Sequence, residues 1–120
     1  FAIWAAVAAF RDGGEWLDAL REYIYENKQR VTQFIETELP KIKLIHSEAT
    51  YLLWLDCSAV CDNSEELADS IRERTGLYLS DGVQYGRTGE KFLRLNIACP
   101  GERLEDGLKR LKDGIEGYRK

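Results

Sequence analysis

The sequence predicts an α+β fold. It is a two-layer sandwich in which a small sheet of about three to four strands is covered on one face by helices, preceded by a long linking helix. Three observations lead there. Apolar residues recur at helical spacing across residues 15–39 and again across 104–118. Residues 92–98 alternate with a period of two, and residues 50–57 are apolar on both faces. A third amphipathic segment, residues 63–76, starts on Asn63 and stops on Gly76.

Composition sets the bounds. With 120 residues, the chain is sized for one cored domain. Hydrophobic residues make up 44% and charged residues 32%, which excludes intrinsic disorder. The 17 basic and 21 acidic residues leave a net charge of −4, and no basic cluster interleaves with aromatics, so nucleic acid is not an expected partner. No apolar run approaches the roughly 20 residues of a membrane span, and the apolar start has no basic flank of the signal-peptide kind. Cys57, Cys61 and Cys99 cannot all pair within one chain. They read as reduced thiols, and the expected location is the cytoplasm. They lack zinc-ribbon spacing and His46 is the lone histidine, so no metal is expected. The chain starts at Phe1 and contains no methionine, which reads as a piece of a longer protein.

Taken in order, residues 1–10 are apolar all round and rich in helix formers, the pattern of a short helix buried on every side. Its neighbours are expected outside this chain. Gly13 and Gly14 should then stop it and turn the chain. The segment 15–39, with Trp16, Leu17, Leu20, Tyr23, Ile24, Val31, Phe34 and Ile35 as its apolar positions, should form one helix roughly 40 Å long that ends before Pro40. Its polar stretch Asn27-Lys28-Gln29-Arg30 marks a place where a bridge between domains would cross solvent. Residues 1–40 are thus expected to be a helical link, and 41–120 a small α+β domain.

Within that domain, residues 41–45 are a short strand candidate, 47–49 a turn, and 50–57 an interior strand. Asn63 caps a helix with an acidic first turn, Leu67, Ala68 and Ile71 forming its buried stripe. Residues 77–79 suggest another short strand. Gly82, Gly86 and Gly89 mark a flexible connecting loop that lacks a nucleotide-binding fingerprint. After Pro100, the positions Leu104, Leu108, Leu111, Ile115 and Tyr118 define a last helix whose apolar face should pack on Leu93, Leu95 and Ile97.

The opposite face of the 92–98 strand carries Arg94 and Asn96. A guanidinium in an apolar strand needs an anion or water, because an unpaired buried charge is very costly. Two readings stay open: Arg94 pairs with a carboxylate on a neighbouring strand, or it waits for the carboxylate of a ligand, which its planar fork grips with two parallel bonds.

Four motifs carry a family resemblance: Gly14-Glu15-Trp16-Leu17-Asp18-Ala19-Leu20, Thr50-Tyr51-Leu52-Leu53-Trp54-Leu55-Asp56, Gly82-Val83-Gln84-Tyr85-Gly86, and Phe92-Leu93-Arg94-Leu95-Asn96-Ile97-Ala98-Cys99-Pro100. In this order they resemble the C-terminal part of the MalY/PatB group of pyridoxal-phosphate C–S lyases, cystathionine β-lyase-like enzymes of fold type I, similar to class I and II aminotransferases. The resemblance implies that Arg94 holds the substrate's α-carboxylate, with Tyr85 and Gly86 in the loop that leads into that strand and approaches the site; Asn96, on the same strand face, is a further substrate-binding candidate from the alternation. It implies a large N-terminal domain, absent from this chain, that contributes the Schiff-base lysine and most of the pyridoxal phosphate contacts. This piece alone then holds no catalytic residue and is expected neither to bind the cofactor nor to react. A homodimer is implied in the same way. The chain departs from the family pattern at Gly101, where arginine is common, and at Ala49, where glycine is common.

The reaction implied is α,β-elimination on cysteine conjugates, giving a thiol, pyruvate and ammonia. Within the same fold the alternative is an aminotransferase. From another class, a stand-alone regulatory module would bind an amino acid through Arg94. If Arg94 is internally paired, the open sheet face is only an interaction surface.

Overall fold

The computed structural model describes residues 1–118. Helix α1 (Ala2–Asp12) and helix α2 (Gly14–Glu38) are followed by strands β1 (Lys43–Leu44) and β2 (Leu52–Asp56), helix α3 (Ser64–Thr75), strands β3 (Ser80–Asp81) and β4 (Phe92–Asn96), and helix α4 (Gly101–Gly117). The four strands form one antiparallel sheet in the order β1-β2-β4-β3. The α+β sandwich expected from the sequence is therefore the observed architecture. Among the described residues no helix is long and apolar enough to cross a membrane.

One core holds the domain together. Leu53 and Leu55 of β2 and Leu93 and Leu95 of β4 meet Val31 and Ile35 of α2, Leu39 just past it, Leu67 and Ile71 of α3, and Leu104, Leu108, Leu111 and Ile115 of α4. This buried row on α4 is the one its spacing predicts, although the helix ends at Gly117 and Tyr118 lies just past it. Helix α3 has the expected caps. The Asn63 side chain accepts from the Glu65 N–H at 2.9 Å, and Gly76 takes the left-handed conformation, with φ of 73°, that releases the chain.

Residues 1–10 form the expected helix: α1 has no buried residue and Trp4 is 79% exposed, so none of the described residues covers it, in keeping with neighbours expected outside this chain. Four sequence expectations are corrected. Gly13 alone separates the first two helices, because Gly14 already opens α2. The polar stretch at 27–30 does not cross solvent at Asn27, which is 1% exposed. Its Nδ2 donates to the carbonyls of Ile97 and Cys99, each at 3.0 Å, which the chain exposes where it leaves β4 toward Pro100. The ladder contains Ser80 and Asp81 rather than 77–79, because Leu79 is drawn into the core instead of pairing. The first strand is shortened to Lys43–Leu44.

The connection between β3 and β4 is more fixed than its glycines suggest. It consists of two single-turn 3-10 helices, Val83–Tyr85 and Arg87–Gly89. Asp81 holds the first of them by accepting from the Gln84 N–H and side-chain amide, each at 3.2 Å.

Candidate functional site

The helices cover one face of the sheet and leave the other open. Period-two geometry puts Trp54 and Asp56 of β2, Phe92, Arg94 and Asn96 of β4, and Ser80 of β3 on that open face. The register places Arg94 between Trp54 on one side and Ser80 on the other. This position explains why the guanidinium is half-buried on a face that lacks helices.

Three groups shape its surroundings. Arg94 Nη2 donates to Ser80 Oγ at 3.3 Å. The Tyr85 ring lies over the guanidinium, 4.9 Å from Cζ to ring centroid, within range of a cation–π attraction. Trp54 meets Tyr85 edge to face at 5.4 Å and Phe92 at 6.1 Å, which buttresses the tyrosine. The guanidinium is thus held flat by an aromatic face and a hydroxyl, neither of which neutralises it.

The carboxylates nearest in sequence and register are otherwise engaged. Asp56 shares the open face, but its carboxyl is held below the usual range chiefly by the Ser58 hydroxyl and backbone N–H, the latter at 2.9 Å, with Lys43 adding to the effect. Asp81 lies opposite Leu93, not Arg94, and binds Gln84. Among the described residues no carboxylate forms an ion pair with Arg94. An internal ion pair, one of the two readings left open by the sequence, is absent there. The remaining N–H groups of the fork are available to an anion.

Of the residues singled out from sequence, Arg94 and Tyr85 are in contact. Asn96 lies two positions along the same face, exposed, and its Oδ1 accepts from the Ala98 N–H at 2.9 Å, so it ends the strand. Trp54 and Ser80 were missed. The signal for Trp54 was the pairing of the two apolar strands; that for Ser80 required the edge strand in its true place.

No protein-family model matches the chain. Cystathionine β-lyase PatB of Bacillus subtilis (strain 168) is 43% identical over 115 residues, covering 96% of this chain and 30% of PatB. Protein MalY of Escherichia coli (strain K12) is 32% identical over 118 residues, covering 98% of this chain and 30% of MalY. The chain is a homologue of the MalY/PatB-type enzymes. It spans about 30% of the length of these curated relatives and matches their C-terminal part. The crystal structure of a pyridoxal-phosphate-bound putative aminotransferase from Clostridium difficile 630 superposes on this chain with a TM-score of 0.86 at 35% identity, over 90% of this chain and 28% of that one.

The lysines of this segment do not fit the amine that an aldehyde cofactor needs. Such a lysine is buried so that it can lose its proton. None of the described lysines is buried, and Lys112 is held protonated by hydrogen bonding to Glu38.

Proposed function

We propose that this chain is the small, substrate-orienting domain of a longer pyridoxal-phosphate-dependent C–S lyase, in which Arg94 grips the α-carboxylate of a cysteine conjugate. The observation that carries this reading is the half-buried guanidinium, held flat by Tyr85 and Ser80 yet paired with no carboxylate among the described residues. A planar fork fixed in this way binds a carboxylate without first having to be ordered, which is how positioning lowers a barrier. Tyr85 covers one face of the fork, and the ligand meets its edge. Asn96 closes the strand beside it.

In this reading residues 1–40 link to a large N-terminal domain, which contributes the cofactor and the Schiff-base lysine, and 41–120 form the small domain. The exposed apolar side chains of α1 and the first half of α2 lie against that large domain. The cofactor supplies the electron sink for the elimination. Overall, the carbon–sulfur bond of the substrate breaks and water is consumed, yielding a thiol, pyruvate and ammonia. The reading extends to a homodimer, supported by the resemblance alone, and to the cytoplasm, supported by three cysteines that read as reduced thiols.

The test is Arg94→Lys in the longer protein. The ammonium keeps the charge and loses the second bond, so KM for the amino acid should rise roughly 10- to 100-fold while the cofactor's absorbance is unchanged. An unchanged KM overturns the role of Arg94. Formation of an oxo acid that retains the sulfur, in place of thiol and pyruvate, identifies an aminotransferase instead.

A further inference from the structure

We infer that Ser64, on the far side of the sheet edge from the substrate, is a positioning residue that holds Tyr85 over Arg94; the inference rests on the role proposed above for Arg94.

Tyr85 reaches the guanidinium from the loop between β3 and β4, whose two ends return to one point. There the backbones of Gly82 and Gly89 are pressed together so closely that a Cβ on either would collide with the other's carbonyl. Such an approach is open to glycine alone. Ser64 sits at this point with 0% of its surface exposed. Its hydroxyl accepts from the Gly82 N–H at 3.2 Å and donates to the Gly89 carbonyl at 3.4 Å, while its own N–H donates to the Glu90 carbonyl at 2.7 Å. One residue at the start of α3 therefore ties both ends of the loop. The Gly82 N–H also donates to the Phe92 carbonyl at 2.8 Å, which fixes the loop base two residues from Arg94 on β4.

The consequence follows from burial. Without the hydroxyl, the buried Gly89 carbonyl has no donor among the described residues, and a buried unpaired carbonyl is relieved by the loop ends moving apart toward water. Movement at the base shifts Tyr85, and with it the aromatic face that keeps the fork flat. Ser64 touches neither ligand nor fork; it acts through Tyr85.

A merely structural role, stabilising the start of α3, is separated from this one by the neighbouring residue. Asn63→Ala removes the cap of the same helix and leaves the loop ties in place. In the longer protein, Ser64→Ala should raise KM for the amino acid about tenfold with kcat within about twofold. It should also speed hydrogen exchange of the amides in residues 82–90 by about tenfold, whereas Asn63→Ala lowers the melting temperature and leaves KM and that exchange unchanged. Gly89→Ala, which parts the loop ends from the other side, should give the signature of Ser64→Ala and decides the matter if that variant does not fold. Unchanged exchange in 82–90, or equal KM effects of Ser64→Ala and Asn63→Ala, overturns the inference. An unchanged KM in Arg94→Lys sinks the reading of Arg94 instead, and the exchange measurement then still decides whether Ser64 holds the loop.

Discussion

Arg94 and Cys57 are treated in opposite ways by the two sides of the sheet. The open side leaves Arg94 a charge with unused donors; the closed side takes Cys57 out of water entirely. Burial, with Cys61 and Asp56 adding to it, pushes the Cys57 thiol up to about 12. The fold therefore prefers the neutral thiol. The resulting stability is fully present below the unfolded thiol's pKa, and it is lost as pH rises from about 9 toward about 12, because there the unfolded chain has released a proton that the folded one retains. The loss amounts to about 4 kcal/mol across the window. Urea midpoints should fall steeply above pH 9, and Cys57→Ala should flatten that decline while lowering the plateau. A pH profile with the same slope in both proteins would show that Cys57 is not the linked group. Arg94 was legible in the sequence because alternation exposes a charge within an apolar strand. The depth of Cys57 was legible in the same way, since the strand expected over residues 50–57 puts it in phase with Leu53 and Leu55, although β2 itself ends at Asp56.

At the scale of elements, α2 shows how far periodicity reaches. Its bounds are close to those expected, yet the polar stretch beginning at Asn27 carries the opposite meaning from its composition. An amide facing carbonyls that have lost their strand partners is worth burying. Asn27→Ala should cost about 1–3 kcal/mol in chemical denaturation, because the Cys99 carbonyl loses its donor while the Ile97 carbonyl keeps only the Cys99 N–H, at 2.9 Å. Asn27→Asp should cost more, since a carboxylate cannot donate and would be buried against carbonyl oxygens. Equal stabilities of the two variants would argue against this geometry. The edge strand β3 was misplaced for a related reason: Leu77 and Leu79 answer to the core, while pairing with β4 falls to the less apolar Ser80 and Asp81. Hydrophobic runs report burial directly and hydrogen-bond ladders only indirectly. The clamp at Ser64 was invisible for the same reason, since a lone serine beside a helix cap carries no periodic signal.

Across the whole molecule, the chain measures 52 Å by 29 Å by 26 Å, and the long dimension belongs to the part that does not join the core. Phe1, Ile3, Trp4, Val7, Phe10, Trp16 and Leu17 are all exposed on α1 and the first turns of α2. So many large apolar side chains exposed within the first 17 residues seek a cover. The chain by itself should therefore self-associate, and sedimentation should show Trp4→Glu with Phe10→Glu shifting it toward monomer; a wild-type chain that sediments as a monomer at high concentration would contradict this. The sequence had marked these residues as apolar and helical, but what covers them is a property of neighbours that no pattern within the chain encodes. Helix α2 also meets the rest of the domain from about Leu20 onward, where Ile24 packs against the core and the Tyr23 hydroxyl accepts from the Gly101 N–H at 2.7 Å, so that only about 9 Å of it, residues 14–19, projects beyond. Further along the same helix, the Asn27 amide is fastened to the carbonyls of Ile97 and Cys99, just downstream of Arg94. The long helix is thus tied twice, at Tyr23 and at Asn27, to the chain that leaves the strand carrying Arg94, so a displacement of its exposed end is passed to that strand's exit.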